Sequence, residues 1–256
     1  MMTRLTTAIL YLFLAVFTVL VSTVIVVTRV FGDVDGRIWY PATRWWARSV
    51  LRIAGAQPVV SKGWKGLDPR YPVVLMPSHQ SHLDGLSLIA LSDRPFRVVG
   101  KRSLFFFPFF GQALLAAGHI PITRDRREKA FASIERAAEM ARAGRHVLVF
   151  PEGQRSRDGV LGPFKKGGFV LALKARLPIL PIGIAGTYDV LPPGWWVRDS
   201  SPVCVVVGDP IDTAGVAFED RDELVARVRA RMVALCAEAE AMRLEHRSGG
   251  GSSGRG

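Results

Sequence analysis

The N-terminal stretch constrains this chain most, because it is long, apolar and free of charge. No charged residue lies between Arg4 and Arg29, and residues 5–27 are long enough as a helix to cross a hydrocarbon layer of about 30 Å. A cleaved signal peptide is the alternative. The apolar region of a signal is shorter, about 7–15 residues, and no small-residue cleavage site follows before Arg29. We therefore predict a retained membrane anchor, and the arginines that follow it favour a cytoplasmic C-terminal side at the cell (inner) membrane.

The next stretch, residues 37–54, interleaves aromatic side chains with four arginines. Aromatic rings favour the headgroup level of a bilayer and arginines favour anionic lipid, so this pattern predicts an interfacial amphipathic helix. The alternative is an ordinary surface helix that packs on the core through its tryptophans. We take residues 1–56 as a membrane-associated two-helix segment.

From residue 58 the pattern changes to short β-branched runs that alternate with longer helical ones. Strands are predicted at 59–60, 73–76, 96–99, 120–122, 146–150, 179–184 and 203–207. Helices are predicted at 83–91, 104–116, 128–143, 167–175 and 219–243. This alternation predicts an α/β domain over residues 57–247, with a mostly parallel central sheet flanked by helices. Residues 248–256 have the composition of a flexible tail.

The net charge of the chain is +12, which predicts an anionic partner: nucleic acid, a membrane surface or a phosphorylated substrate. Residues 1–70 hold nine bases and three acids, so half of this excess accompanies the predicted membrane segment. The apolar N-terminus and the lack of a nucleic-acid motif argue against nucleic acid. The two cysteines, Cys204 and Cys236, are not spaced as a metal or redox pair.

The residues best suited to chemistry follow the second predicted strand. His79 and Asp84 lie five residues apart where a strand gives way to a helix, a junction at which α/β folds place reactive groups. A carboxylate that accepts from the imidazole Nδ1–H fixes the tautomer and leaves Nε2 as a base. A histidine that caps the helix is the alternative. His82 could join the pair as a metal ligand, but zinc sites need further His or Cys residues, so we predict no metal.

Three further motifs follow in order at residues 118–124, 150–156 and 180–183. Together with His79 and Asp84, the chain over about residues 62–210 resembles the glycerolipid acyltransferase family, the 1-acylglycerol-3-phosphate acyltransferases that make phosphatidic acid. The later motifs are matched by Arg124, by the FPEG-x-R-S run of 150–156, and by Pro181. Gln154 departs from the threonine usual in the family, which bears on donor or acceptor preference.

The resemblance implies a catalytic His79 that deprotonates the sn-2 hydroxyl of the acceptor, with Asp84 holding the imidazole. The hydroxyl would attack the thioester of acyl-CoA or of acyl carrier protein, with no cofactor. The resemblance also implies substrate-binding residues: Lys101, Arg124 and Arg155 for the phosphate of the lysophospholipid, and Glu152 and Gly153 for its glycerol. Another lyso-lipid acceptor, or a non-catalytic scaffold that binds membrane lipids, are the alternatives.

An aromatic run at residues 105–110 holds five phenylalanines. Core packing is the default prediction for such a run. Lining of an acyl-chain tunnel and contact with lipid are its alternatives.

Overall fold

Short apolar strands alternate with helices along the chain, which we describe from a computed structural model over residues 2–57, 59–68, 70–123, 127–194 and 196–249. The strands are β1 (Val59–Lys62), β2 (Val74–Pro77), β3 (Arg97–Lys101), β4 (Ile120–Ile122), β5 (Val147–Leu148), β6 (Ile179–Ala185) and β7 (Val203–Val207). The helices are α1 (Met2–Val30), α2 (Trp39–Ala54), α3 (Leu83–Leu91), α4 (Phe110–Ala116), α5 (Arg127–Arg142), α6 (Gly167–Ala175), α7 (Thr187–Val190) and α8 (Arg221–Gly249), with a 3-10 helix at Arg102–Phe106. Each predicted strand segment overlaps an observed strand.

The strands form one seven-stranded sheet in the order β1-β7-β6-β2-β5-β3-β4. Neighbouring strands are parallel except for β6 and β7, which are antiparallel. Parallel strands with helices on both faces are buried on both sides. Their sequences are therefore continuous runs rich in β-branched residues. The prediction of a mostly parallel sheet flanked by helices is confirmed.

The helices cover the two faces of the sheet in separate layers. Core residues of α2 and α3 pack with Leu75 and Leu148 on one face. Core residues of α5, α6 and α8 pack with Val74 and Val147 on the other. Because side chains alternate along a strand, adjacent residues of β2 and β5 supply the two cores.

Helix α1 lies along the domain and is attached to it near both ends. The Val197 backbone N–H donates to the Thr7 hydroxyl at 3.1 Å, and the Arg29 Nε donates to the Ala116 carbonyl at 2.7 Å. Between these contacts α1 packs against α2 and α4. Among the described residues, α1 is also the helix that is long and apolar enough to cross a membrane.

Three sequence predictions differ from the structure. The helix predicted at 104–116 is interrupted, because its first part is the 3-10 helix and α4 begins only at Phe110. Phe106, Phe107 and Phe109 are exposed, so core packing is wrong for these three side chains. Helix α8 extends to Gly249, two residues into the predicted tail, and residues 250–256 lie outside the described residues.

Candidate active site

The predicted catalytic motifs converge at one edge of the sheet. Strands β2, β5 and β6 are adjacent and parallel, so their carboxyl ends lie at the same edge. His79 follows β2, Glu152 follows β5, and Thr187 follows β6. Residues far apart in the sequence therefore meet in one site, as expected for the carboxyl edge of a parallel sheet.

His79 and Asp84 form the pair that their spacing predicts. The Nδ1 atom of His79 lies 2.9 Å from Oδ2 of the buried Asp84. An ionised carboxylate only accepts hydrogen bonds, so Nδ1 carries the proton and Nε2 is left as a base. The imidazole stacks on the Phe150 ring, with centroids 3.7 Å apart, and its side chain keeps 17% exposure. The ring is thus oriented yet still reachable.

Asp84 is held by more groups than the sequence indicates. Its Oδ2 also accepts from the backbone N–H groups of Gln80, at 2.6 Å, and Ser81, at 2.8 Å. Its Oδ1 accepts from the hydroxyl of the buried Thr187. Sequence reasoning missed Thr187, although it follows a strand that ends at the same sheet edge. These donors fix the orientation of the carboxylate toward His79.

The Glu152 carboxylate holds the loop that carries His79 through hydrogen bonds to the backbone. Its Oε1 accepts from the His79 backbone N–H at 2.7 Å, and its Oε2 accepts from the Gly162 N–H at 2.8 Å. Burial raises the pKa of this carboxyl, while the hydrogen bonds from Gly162 and His79 oppose the rise. The Ser156 N–H donates to the His79 carbonyl at 2.7 Å, so the segment after β5 holds His79 through both of its backbone groups.

The predicted phosphate-binding residues are only partly brought together. Lys101 is exposed at the carboxyl end of β3, opposite Ile122 of β4. Arg124 lies outside the described residues. Arg155 directly precedes Ser156, and its buried Nη1 has no hydrogen-bond partner among the described residues. No ion pair joins Arg155 to Glu152, both of which the structure describes. Arg155 therefore has a donor free for a ligand.

Two motif residues have a structural role in the geometry. Gly153 has a φ of 70°, and a Cβ built there would lie 3.1 Å from the Lys165 side chain, so the turn and its neighbour both favour glycine. Pro181 lies within β6, opposite Met76 of β2, rather than at the edge that carries His79. In the described part of the chain no cluster of three or more His, Cys, Asp or Glu residues is placed to hold a metal ion.

An apolar cavity of about 200 Å³ lies between the N-terminal helices and β3. Leu86 of α3, two residues beyond Asp84, contributes to its wall, as does Gly100, the neighbour of Lys101. Other lining side chains include Val21, Trp46, Ile89, Phe105 and Phe110. The cavity thus begins close to the elements that carry the site and continues beneath α1 and α2.

The fold and the site together define an acyltransferase-type domain, and comparison with known proteins agrees. A family model described as Acyltransferase matches residues 59–185, a range that contains His79, Asp84 and Glu152. The chain is 32% identical to the 1-acyl-sn-glycerol-3-phosphate acyltransferase of Pseudomonas aeruginosa over 189 residues. This alignment covers 72% of this chain and 72% of that protein. The chain belongs to the acyltransferase family.

Eukaryotic organisms also have similar proteins. The chloroplastic 1-acyl-sn-glycerol-3-phosphate acyltransferase BAT2 of Brassica napus is 36% identical over 141 residues, which cover 55% of this chain and 41% of that protein. The alignments with eukaryotic relatives of this kind span from 38% to 62% of the relative's length. The crystal structure of the 1-acyl-sn-glycerophosphate acyltransferase PlsC from Thermotoga maritima shares the fold. Its TM-score is 0.77 at 23% identity, over 94% of this chain and 95% of that chain.

Proposed function

We propose that this protein transfers a fatty acyl group from an acyl thioester to the sn-2 hydroxyl of 1-acylglycerol-3-phosphate, forming phosphatidic acid. The observation that carries the proposal is the contact of 2.9 Å between His79 and the buried Asp84 at a reachable edge of the sheet. The relatives' names support the acceptor and the reaction. A scaffold that only binds lipid would have no use for such an oriented base.

In the proposed reaction, Nε2 of His79 takes the proton of the acceptor hydroxyl as its oxygen attacks the thioester carbonyl. Asp84 stabilises the imidazolium that forms. The tetrahedral intermediate then collapses, the carbon–sulfur bond breaks, and the thiolate recovers the proton from the imidazolium. The donor is acyl-CoA or acyl carrier protein, and no covalent acyl-enzyme and no cofactor take part.

Some of the remaining site residues would contact the acceptor, and others would hold the loop that carries His79 in place. Lys101, Arg124 and Arg155 would neutralise the acceptor phosphate, and the free Nη1 of Arg155 supports its share in this role. Glu152 was expected to contact the glycerol. Because its two oxygens already accept from His79 and Gly162, we propose that it mainly positions the His79 loop next to the turn at Gly153.

The apolar cavity is suited to an acyl chain. Its wall is almost wholly apolar, and it adjoins α3, whose first turn carries Asp84. An acyl chain in this space would leave its carbonyl end toward the carboxyl edge of the sheet. The length of chain accepted would then depend on the side chains that line the cavity, which include Trp39 and His119.

We further propose that residues 1–56 attach the protein to the cytoplasmic face of the cell membrane and that residues 57–247 form the catalytic domain. The exposed apolar side chains of α1 support lipid contact, and include Leu5, Ile9, Leu12, Val16 and Leu20. Both substrates carry acyl chains, so attachment to the bilayer brings the site to the acceptor. The basic excess of residues 1–70 suits an anionic bilayer surface.

The reaction is tested by measuring free CoA released from acyl-CoA in the presence of 1-acylglycerol-3-phosphate. We expect His79→Ala to lower kcat by about 100-fold to 10,000-fold, because a positioned base is lost. The matched control is His246→Ala, at an exposed histidine near the end of α8, which should leave the rate unchanged.

Both variants should still sediment with vesicles. Full activity in His79→Ala would contradict the mechanism. Faster turnover of a lyso-lipid with an amine headgroup would instead contradict the assignment of 1-acylglycerol-3-phosphate as the acceptor.

A further inference from the structure

The segment between β3 and α4 exposes large aromatic side chains on the surface. Phe106 is 71% exposed, Phe107 58% and Phe109 54%. Single exposed apolar residues are ordinary, but three phenylalanines within four positions form a patch of the kind that marks an interaction site. We call residues 104–109 the aromatic loop.

The aromatic loop has two sides with different surroundings. Leu104 and Phe105 line the apolar cavity, as does Phe110 directly after the loop. Phe106, Phe107 and Phe109 point away from the core into the surroundings. The loop is therefore a wall with apolar side chains on both sides.

The exposure of these rings is fixed by the backbone rather than by flexibility. A Cβ built on Gly111 would lie 2.2 Å from the Phe105 carbonyl oxygen, so the loop turns tightly against the start of α4. The Gly111 N–H donates to the Phe107 carbonyl at 2.8 Å. Phe109 has a φ of 61°, a strained value for a residue with a side chain. Strain of this kind persists where the surrounding structure imposes it, often at functional sites.

The aromatic loop lies beside the apolar N-terminal helix. It leads into α4, where Ala113 and Ala117, the residue directly after the helix, pack with Val21 and Ile25 of α1. Leu115 of α4 is also exposed. The exposed rings thus continue the apolar surface of the proposed anchor toward the part of the sheet edge where β3 ends.

Positive charge borders the loop on the side of β3. Lys101 and Arg102 are both exposed, and the Arg102 guanidinium lies 5.6 Å from the centroid of the Phe106 ring. Exposed aromatic rings next to cations match a bilayer surface, where hydrocarbon meets anionic phosphates. The adjoining apolar surface of α1 also favours lipid over a protein partner.

We propose that the aromatic loop inserts into the bilayer of anionic phospholipids as a second membrane contact, separate from α1 and α2. Lipid hydrocarbon would then lie against Phe106, Phe107 and Phe109, while the inner side of the same loop borders the cavity. The proposal rests on the membrane attachment inferred above but not on the acyl transfer reaction.

Insertion is tested on the full chain with an environment-sensitive fluorophore on a single cysteine, in a Cys204→Ala, Cys236→Ala background. Phe107→Cys reports the loop, and Phe106→Cys repeats the test if that variant folds poorly. Leu12→Cys reports α1. The matched control is Phe131→Cys, a phenylalanine of 51% exposure on α5, on the opposite face of the sheet. The probes are read with vesicles of phosphatidylcholine and phosphatidylglycerol that carry nitroxide-labelled lipids.

We expect the probes at 107 and 12 to shift to shorter wavelength and lose intensity to the nitroxides, with the probe at 131 unchanged. Quenching at 12 without quenching at 107 and 106 would overturn the proposal while leaving the anchor intact. Equal quenching at 131 would show that the loop is not the inserted face. The same pattern should hold with His79→Ala, so loss of activity cannot be mistaken for loss of insertion.

Discussion

Asp84 determines what His79 can do, and Thr187 completes its surroundings. Asp84 is buried and accepts hydrogen bonds from His79, from two backbone N–H groups and from the Thr187 hydroxyl. The Thr187 hydroxyl is the only one of these donors that comes from a distant side chain, across 103 positions of the chain. Without it, Oδ1 of a buried carboxylate would lose its partner, at a cost of about 1–3 kcal/mol.

We therefore expect Thr187→Val, which keeps the shape but not the hydroxyl, to lower kcat by about tenfold with little change in KM. The change should fall on kcat because Thr187 orients Asp84 and not the substrate. Thr187→Ser, which restores a hydroxyl, should recover most of the rate. Steady-state kinetics with both substrates varied would measure the two effects. A rise in KM alone, or no recovery with serine, would exclude this positioning role.

At the scale of residues, the sequence predicts the parts of the site that are local. The spacing of His79 and Asp84 is enough to predict their contact, because both lie within one strand–helix junction. Thr187 is not predicted, since a lone threonine carries no motif and its partner is set by the sheet order. The position of Glu152 is predicted, but its bonds to the backbone of His79 and Gly162 depend on how two loops pack.

At the scale of elements, β6 and α8 are in close backbone contact. A Cβ built on Gly183 of β6 would lie 2.4 Å from the Leu235 carbonyl carbon in α8, so the helix rests directly on the strand. We expect Gly183→Ala to displace α8 and lower the free energy of unfolding by about 3 kcal/mol. Gly85→Ala in α3 is the matched control, because no atom lies within 4 Å of its built Cβ. That change should raise stability by about 0.5–1 kcal/mol.

Chemical denaturation in detergent, followed by circular dichroism, would measure both glycine variants. Equal stability of Gly183→Ala and the natural chain would show that α8 does not rest on β6 as described. The comparison separates the effect of the close contact from the general effect of alanine on backbone freedom, since both positions receive the same side chain.

The central strands were predictable as elements because β2, β5, β6 and β7 are short apolar runs buried on both faces. Their order was not, since the antiparallel pairing of β6 with β7 depends on long connections. The helix predicted at 104–116 shows a different limit. Pro108 disfavours helical geometry at Phe107, which is extended at φ −68° and ψ 127°. Pro108 is visible in the sequence, but the prediction gave more weight to the apolar run around it.

At the scale of the whole molecule, the sequence does not show whether the apolar N-terminal helix packs against the domain or projects away from it. Length and hydropathy predict a membrane helix but not its neighbours. The bonds at Thr7 and Arg29 tie both ends of α1 to the domain, so one side of the helix faces protein along its length. A helix that projects away from the domain to cross a bilayer would have no such protein-facing side.

This difference can be measured with two leucines that are two positions apart in α1. Leu10 is 2% exposed and packs in the core, whereas Leu12 is 67% exposed. Leu12→Gln should lower partitioning into anionic vesicles by about tenfold, because its apolar surface leaves lipid. It should leave the thermal midpoint unchanged. Leu10→Gln should instead destabilise the fold by about 2–5 kcal/mol. If α1 crosses the bilayer apart from the domain, both variants would weaken partitioning equally and neither would change the melting of the domain.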